Sequence, residues 1–249
     1  KILEGKDIVC YESVYLNNTE ITFHKDINDL GQTITFVQER TTATWGNGTK
    51  LVNAEDKTFE LKDTVHYKGL IPGKEYTQTG TVMNQVTGEP LMQDGQPVTS
   101  SVTFTPQTSE GDVEIVFNIN TSALAGETFV VFEDLYYNGV KIATHSDLKD
   151  KDQTVYVPKI GTMATSKDDE KTLSVGKKVV LVDTVEYENL IKGEEYTLKG
   201  EVVRKSKNGK YKVIEKGKAK FTADDSGNTK IEFKINTTKL EGEDLVVFE

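Results

Sequence analysis

Internal repetition is the feature that most constrains the fold of this chain. Residues 65–71 recur at residues 185–191, 120 residues later, with four of seven positions identical in the form Val-x-Tyr-x-x-Leu-Ile. Residues 115–121 recur at residues 231–237, 116 residues later. The four residues lost between the two pairs fall in the region after Gly80, where a change of hairpin length costs little free energy. The chain is therefore expected to consist of similar domains in series.

The repeats divide the chain into one complete unit and parts of two others. Residues 4–12 resemble residues 126–133 and 241–249, and each of these segments ends in a glutamate. We predict the C-terminal part of a preceding repeat at residues 1–37, a complete repeat at residues 38–158, and a following repeat without its last strands at residues 159–249. Because the repeats are cut at both ends, we expect a piece of a longer protein.

Each unit is predicted to be all-β. Several segments are rich in Val, Ile, Phe and Thr, as strands are: residues 79–82, 102–105, 113–119 and 128–133. Turn dipeptides separate such segments: Asn-Gly at 47–48, 138–139 and 208–209, and Pro-Gly at 72–73. The only helical candidates are single turns at 121–124 and 237–240. Several short strands in about 120 residues favour tandem immunoglobulin-like β-sandwich domains.

Composition excludes some partners and one kind of covalent link. The net charge of −10 argues against nucleic acid or an anionic membrane, because both require clustered Lys and Arg. No apolar run approaches the roughly 20 residues of a membrane span. Cys10 is the single cysteine, so no internal disulfide forms. A small extracellular β domain often needs a covalent staple, which here must be of another kind.

Glutamate, histidine and glutamine keep the same spacing in two copies, 12 and then 8 residues apart. The two triplets are Glu12, His24 and Gln32, and Glu133, His145 and Gln153. A threonine follows each glutamine by 9 residues, at Thr41 and Thr162. An aspartate, Asp63 or Asp183, stands just before each copy of the first repeated segment. Solvated polar residues have little reason to keep both identity and spacing, so we expect these residues to form a site.

This pattern resembles the Thr–Gln ester-bond domains (VaFE-type repeats) of Gram-positive cell-surface adhesins. The resemblance rests on Val-Val-Phe-Glu at 130–133, His-x-Asp at 145–147, Gln-Thr-Val at 153–155 and the threonine segments at 40–44 and 161–165. It implies that a threonine hydroxyl on the first strand attacks a glutamine carboxamide on the last strand. Ammonia leaves and an ester joins Thr41 to Gln153. Partial sites are implied at Glu12, His24 and Gln32, and at Thr162, Asp183 and Glu249.

The residue types suit this chemistry independently. A threonine hydroxyl needs a base to take its proton, and His145 titrates near neutrality. The oxyanion that develops on a carboxamide needs a donor, which Asp63 and Glu133 supply if they share one proton. Which acid holds that proton is not indicated by any spacing. Thr42 aligns with Met163 and is excluded as a repeated nucleophile, whereas Thr44 aligns with Thr165 and remains an alternative to Thr41.

The resemblance implies a structural stalk repeat and not an enzyme, because the reaction occurs once per domain. It further implies an extracellular location on a bacterial cell wall, neighbouring repeats and a host-surface ligand as partners, and no cofactor or metal. One alternative is an uncross-linked immunoglobulin-like adhesin module whose loops bind a host ligand. A glycosidase would need a cleft between Asp63 and Glu133. A Lys–Asn isopeptide domain is disfavoured because no such pair keeps register with the acid.

Three further expectations concern residues around this pattern. His66 aligns with Glu186 and is expected at the surface. Scattered aspartates are expected to be solvated: Asp147, Asp150 and Asp152. The two partial sites are complementary, so residues 13–36 are a candidate to dock on the last unit and bring Gln32 to Thr162, within one chain or between chains. The duplicated strands at 2–12 and 239–249 would compete for one position.

Overall fold

The computed structural model describes residues 3–205 and 210–249 and contains, in these residues, twenty β-strands and no helix. None of the described segments is therefore a helix long and apolar enough to cross a membrane. The prediction of an all-β fold of tandem sandwiches is confirmed. The two predicted single helical turns are hydrogen-bonded turns, and the predicted Asn208-Gly209 turn lies outside the described residues.

The N-terminal segment contains two small antiparallel pairs, in which β1 pairs with β4 and β2 pairs with β3. Most side chains of β2 and β3 are exposed. The strands are β1 (Asp7–Val9), β2 (Glu12–Leu16), β3 (Thr19–His24) and β4 (Thr33–Thr35).

Two sheets form the first sandwich. One has the order β11-β6-β5, and the other has the order β10-β7-β12-β13 with β14 beside β12. A two-stranded hairpin, β8-β9, extends from it. The strands are β5 (Gln38–Trp45), β6 (Thr58–Lys68), β7 (Tyr76–Asn84), β8 (Met92–Gln93), β9 (Gln96–Pro97), β10 (Thr99–Phe104), β11 (Glu110–Asn120), β12 (Glu127–Tyr137), β13 (Val140–His145) and β14 (Thr154–Val157).

The second sandwich repeats this plan with the sheets β15-β16-β19 and β18-β17-β20. Its strands are β15 (Lys159–Ser166), β16 (Val179–Glu188), β17 (Glu195–Lys205), β18 (Tyr211–Thr222), β19 (Ser226–Ile235) and β20 (Leu245–Phe248). The contacts of the chain divide it into two compact units. One comprises Lys1–Leu51, Glu55–Thr121 and Thr128–Val155, and the other comprises Val52–Ala54, Ser122–Glu127 and Tyr156–Glu249.

Strand periodicity places an acid inside each sandwich. Successive side chains of a strand point to opposite faces of the sheet, so Asp63 shares the buried face of β6 with Leu61 and Val65. In β16 the equivalent Asp183 is buried as well. A buried carboxyl group requires partners, since its desolvation costs free energy. The regular alternation of side chains therefore places one carboxyl group, which needs a partner, in the core of each sandwich.

A close approach of the two sheets of the first sandwich occurs at Gly80 of β7. A Cβ atom at this position would lie 2.6 Å from Cζ of Phe117 on β11. The same arrangement recurs in the second sandwich, where a Cβ at Gly200 would lie 2.8 Å from Cζ of Phe233. Both glycines are therefore required by the packing of a phenylalanine against backbone.

We expect Gly80→Ala to destabilise the first sandwich by about 1–3 kcal/mol, because the added methyl group overpacks the core against Phe117. Trp45 is the single tryptophan and is 1% exposed, so its fluorescence during urea unfolding reports on this sandwich. Gly46→Ala is the matched control: its Cβ would lie 3.4 Å from the nearest atom. Equal unfolding free energies for the two variants would contradict this packing.

Candidate functional site

Thr41 and Asp63 lie on the buried face of the sheet that contains β5 and β6. Thr41 is 5% exposed and Asp63 is 0% exposed. Ala43 also faces inward and lies opposite Asp63 in the strand register. The side chain of Thr44 alternates to the other face of β5. Of the two candidate nucleophiles, therefore, Thr41 shares a face with the aspartate.

Glu133 and His145 come from the other sheet, where they are direct partners in the antiparallel pairing of β12 and β13. Glu133 is 1% exposed, whereas His145 is half-buried. Nε2 of His145 lies 2.7 Å from Oδ2 of Asp150. Strand β13 also contacts β5, so the histidine is held near the threonine strand.

Gln153 immediately precedes β14 and is fully buried. Its position beside β5 is set by the backbone, because the amide of Ala43 donates to the carbonyl of Asp152 at 2.9 Å. Its side-chain Nε2 donates to Oε1 of Glu133 at 2.5 Å. The glutamine thus lies between the threonine strand and the buried glutamate.

The two buried acids interact with each other, and their surroundings act on them differently. Burial raises the pKa of Glu133 well above its usual range, and the neighbouring Asp63 carboxylate raises it further. Burial also raises the pKa of Asp63, but the hydrogen bond with Glu133 and the positive charges of His145 and Lys50 oppose this. The surroundings therefore favour the protonated form of Glu133 more strongly than that of Asp63.

Several buried polar atoms at this site have no hydrogen-bond partner other than the neighbouring carboxyl group of the Asp63 and Glu133 pair. They are Thr41 Oγ1, both Asp63 oxygens, Glu133 Oε2 and Gln153 Oε1. Native structures contain few such atoms, and each one costs about 1–3 kcal/mol. Their concentration at one place marks a site built for chemistry and not for stability.

Comparison with known families identifies the type of domain. The model of the T-Q ester bond containing domain matches residues 1–36, 40–157 and 158–249, which together make up almost the whole chain. The chain belongs to this family. The resemblance deduced from the Thr, Gln, His and Glu spacing is thereby confirmed.

Solved structures add two similar proteins, both described as a bacterial adhesin from Mobiluncus mulieris containing intramolecular disulfide, isopeptide and ester bond cross-links. In the crystal of space group P1, the identity is 15%, with 80% of this chain and 77% of that chain covered and a TM-score of 0.46. In the crystal of space group P21, the identity is 16%, with 80% and 76% covered and a TM-score of 0.42. No curated protein matches the chain significantly.

Asp150 is a part of this T-Q ester bond domain that the sequence pattern missed. The expectation that it is solvated is wrong: its side chain is 23% exposed and holds His145. Its Oδ1 also accepts a hydrogen bond from the amide of Asp152 at 2.8 Å. The signal was present, because His24 and Asp29 have the same spacing of five residues and lie 2.5 Å apart. Asp147 and Asp152 are exposed.

The N-terminal partial site has the cross-strand pair of the complete site. Glu12 lies opposite His24 in the pairing of β2 and β3. Both residues are exposed, and Gln32 is half-buried. Whether Gln32 meets Thr162 remains a prediction.

The C-terminal partial site is assembled around Glu249. Burial, followed by a hydrogen bond with Asp183, raises the pKa of Glu249 to about 8, and contact with Thr162 opposes this. Thr162, Asp183 and Glu249 therefore lie together. His66, outside both sites, is half-exposed and contacts Asp112 and Glu110. Among the described residues, no group of three or more His, Cys, Asp or Glu side chains is placed to hold a metal ion.

A third buried acid of this sandwich, Glu39, lies two residues before the proposed nucleophile. Glu39 is 5% exposed, and burial raises its pKa to about 7. Its oxygens accept no hydrogen bond of normal geometry, and the nearby Gln78 amide offsets only part of the desolvation. The equivalent positions of the following repeat are Ile160 and Leu198. The acid therefore belongs to this unit and is not a feature of every repeat.

We expect Glu39 to make the first sandwich less stable as pH rises. Its folded-state pKa of about 7 lies above the ordinary value of 4.5, so its contribution is complete below pH 4.5 and is lost as pH rises through about 7. The loss amounts to roughly 3 kcal/mol. In a Thr41→Ala background, Glu39→Gln should make the decline shallower by this amount, with the contribution of Glu133 and Asp63 remaining, as measured by urea unfolding at several pH values with Trp45 fluorescence.

The matched control is Glu75→Gln, which changes an exposed glutamate in the same sandwich. It should leave the pH dependence of the unfolding free energy unaltered. A Glu39→Gln protein whose stability falls with pH as steeply as that of its parent would show that Glu39 is not held protonated by the fold.

Proposed function

We propose that Thr41 and Gln153 form an intramolecular ester, without an external catalyst, once the first sandwich has folded. The observation that carries the proposal is the buried cluster of unpartnered Thr41, Gln153, Asp63 and Glu133 atoms at one site. Oγ1 of Thr41 attacks Cδ of Gln153. The C–N bond breaks, ammonia leaves, and an Oγ1–Cδ ester bond remains. The reaction occurs once, so the domain is not an enzyme in the usual sense.

His145 is the proposed general base. Asp150 holds its ring through Nε2 at 2.7 Å, which leaves Nδ1 to accept the proton from the threonine hydroxyl. A carboxylate that fixes the tautomer and orientation of a histidine is a common arrangement for activating a hydroxyl nucleophile. The proton then passes from His145 to the departing nitrogen, so the histidine ends the reaction unchanged.

Glu133 is the proposed donor to the oxyanion. Because it carries the proton, it can stabilise negative charge on Oε1 of Gln153 as the tetrahedral intermediate forms. A half-turn of the terminal amide exchanges Nε2 and Oε1, which brings the carbonyl oxygen to the protonated carboxyl. The negative charge of Asp63 supports this arrangement by raising the pKa of Glu133, which keeps that single proton available to Gln153.

The position of the bond in the fold supports a structural role. Thr41 lies on β5, the first strand of the sandwich, and Gln153 precedes β14, its last strand. A covalent link here prevents force from separating the terminal strands by breaking hydrogen bonds, each of which contributes only about 1 kcal/mol. Together with the tandem order of the domains, this supports a stalk repeat of an extracellular bacterial adhesin on a cell wall.

The proposed partners are the neighbouring repeats and a host-surface ligand, and no cofactor takes part. A glycosidase reaction is disfavoured, because Asp63 and Glu133 hydrogen-bond with each other inside the core, whereas glycosidase carboxyls are roughly 5–9 Å apart with a sugar between them.

The intact mass of the chain tests this proposal. Wild-type protein should weigh one ammonia less than its sequence, and Thr41→Ala should restore the full mass. Thr42→Ala and Thr44→Ala are matched controls on the same strand, and both should retain the deficit. A full wild-type mass would favour the uncross-linked, ligand-binding module, and a restored mass in Thr44→Ala would move the nucleophile to Thr44.

The ester should also raise the thermal stability of the first sandwich. It closes a loop of about 110 residues, for which chain entropy predicts roughly 4–5 kcal/mol. We therefore expect the Tm reported by Trp45 fluorescence to be at least about 10 °C higher in wild-type protein than in Thr41→Ala. Thr42→Ala, which changes an exposed side chain, should melt with the wild type. Equal Tm values for the wild-type and Thr41→Ala proteins would contradict a stabilising role of the ester.

A further inference from the structure

Lys50 makes contacts that join the two strands of the proposed ester. Its Nζ donates to the carbonyl of Ala43 at 2.5 Å and to the carbonyl of Asp152 at 2.5 Å. Ala43 lies two residues after Thr41, and Asp152 immediately precedes Gln153. One ammonium group therefore bridges the backbone beside the nucleophile and the backbone beside the electrophile.

The repeat supports a specific role for this lysine. Lys50 follows Thr41 by nine residues, and Lys171 follows Thr162 by the same number. The loop residues that precede them, 45–49 and 166–170, differ at every position. Even so, Nζ of Lys171 donates to the carbonyl of Ala164 at 2.8 Å, which is the equivalent of the Ala43 contact. A surface lysine in a variable loop has no reason to keep both its spacing and its backbone acceptor.

The charge of Lys50 also acts on the acid pair. Asp63 is faced by Glu133 from β12, by His145 from β13, and by Lys50 and Asp150 from loops. Glu39 approaches it from β5. Lys50 favours the ionised form of Asp63, as does His145 when it is protonated. Lys50 is half-buried, which strengthens its electrostatic effect relative to an exposed lysine.

We propose that Lys50 is a positioning residue for ester formation. Its ammonium draws the carbonyls of Ala43 and Asp152 together and so fixes Gln153 against Thr41 before the bond forms. Hydrogen bonds from a charged donor are stronger than neutral ones, and a displacement of about 1 Å between reacting groups can slow a reaction about 100-fold. This inference rests on the proposed ester and adds the group that aligns its two halves.

The test follows the rate of ammonia loss after refolding. Full-length chain is recovered unfolded in denaturant, refolded by dilution at a series of pH values, quenched in acid and weighed intact. We expect Lys50→Met, which keeps most of the aliphatic stem, to slow ester formation at least about tenfold. The acid limb of its pH–rate profile should move to higher pH, because the loss of a cation raises the pKa of Asp63. Lys50→Arg should restore much of the rate and the position of the limb.

Lys74→Met is the control, since Lys74 is an exposed lysine in a turn of the same sandwich. A Lys50→Met protein with wild-type rate and profile would overturn the inference. The inference would also be overturned if Lys50→Met slowed ester formation without moving the acid limb of the pH–rate profile, and Lys50→Arg did not restore the rate. That result would indicate a general loss of structure. If circular dichroism shows that Lys50→Met is unfolded, the Lys50→Arg protein decides the question alone. An acid limb of its pH–rate profile at the wild-type position supports the positioning role. A Lys50→Arg protein that is folded but forms the ester slowly contradicts that role.

Failure of this inference is distinguishable from failure of the ester itself. If the wild-type chain loses no ammonia under these conditions, both the proposed ester and the positioning role of Lys50 are contradicted. If wild-type chain loses ammonia and Lys50→Met does so equally fast, only the positioning role falls.

Discussion

The arrangement depends on the interaction between two buried carboxyl groups, Glu133 and Asp63. Neither acid could remain in the core as an isolated charge, because the desolvation of a carboxylate is too unfavourable. Burial and the Asp63 carboxylate both raise the pKa of Glu133. In the proposed mechanism a protonated Glu133 donates to the carbonyl oxygen of Gln153 after a half-turn of the amide, whose Nε2 donates to Glu133 in this structure.

The fold supplies what this chemistry requires by ordinary strand geometry. Alternation along β5 and β6 places Thr41 and Asp63 on one buried face, and cross-strand pairing sets Glu133 opposite His145. The backbone bond from Ala43 to Asp152 then brings Gln153 to the edge of the first strand. The site contains polar atoms without partners, and formation of the proposed ester would relieve part of this unfavourable state. Burial would afterwards keep water from that ester.

Sequence alone predicted the fold class and most of the site, because those features repeat. The spacing of Glu133, His145 and Gln153 is matched by an earlier copy, and the family that it indicated is confirmed. Strand alternation and turn dipeptides were likewise enough for an all-β sandwich. The threonine was ambiguous, since Thr41 and Thr44 both have repeated partners. Only the alternation of side chains along β5 separates them.

Other features could not be obtained from the sequence, for identifiable reasons. Which acid carries the proton depends on burial and on charges that come from separate strands and loops. Asp150 and Lys50 each have an equivalent at the same spacing in another repeat, but Asp and Lys are so common in loops that this repetition does not distinguish them from solvated residues. Glu39 has no equivalent in the following repeat, which has Ile160 at that position. The residue boundaries of the domains and the partnership of Gln32 with Thr162 remain predictions.

The most direct test of the central claim is tandem mass spectrometry of a protease digest of the wild-type chain. The account predicts one branched peptide in which the segments containing Thr41 and Gln153 are joined with the loss of one ammonia. Hydroxylamine should split this peptide, as it does esters but not amides. Recovery of both segments as separate, unmodified peptides, with the Gln153 carboxamide intact, would contradict the account.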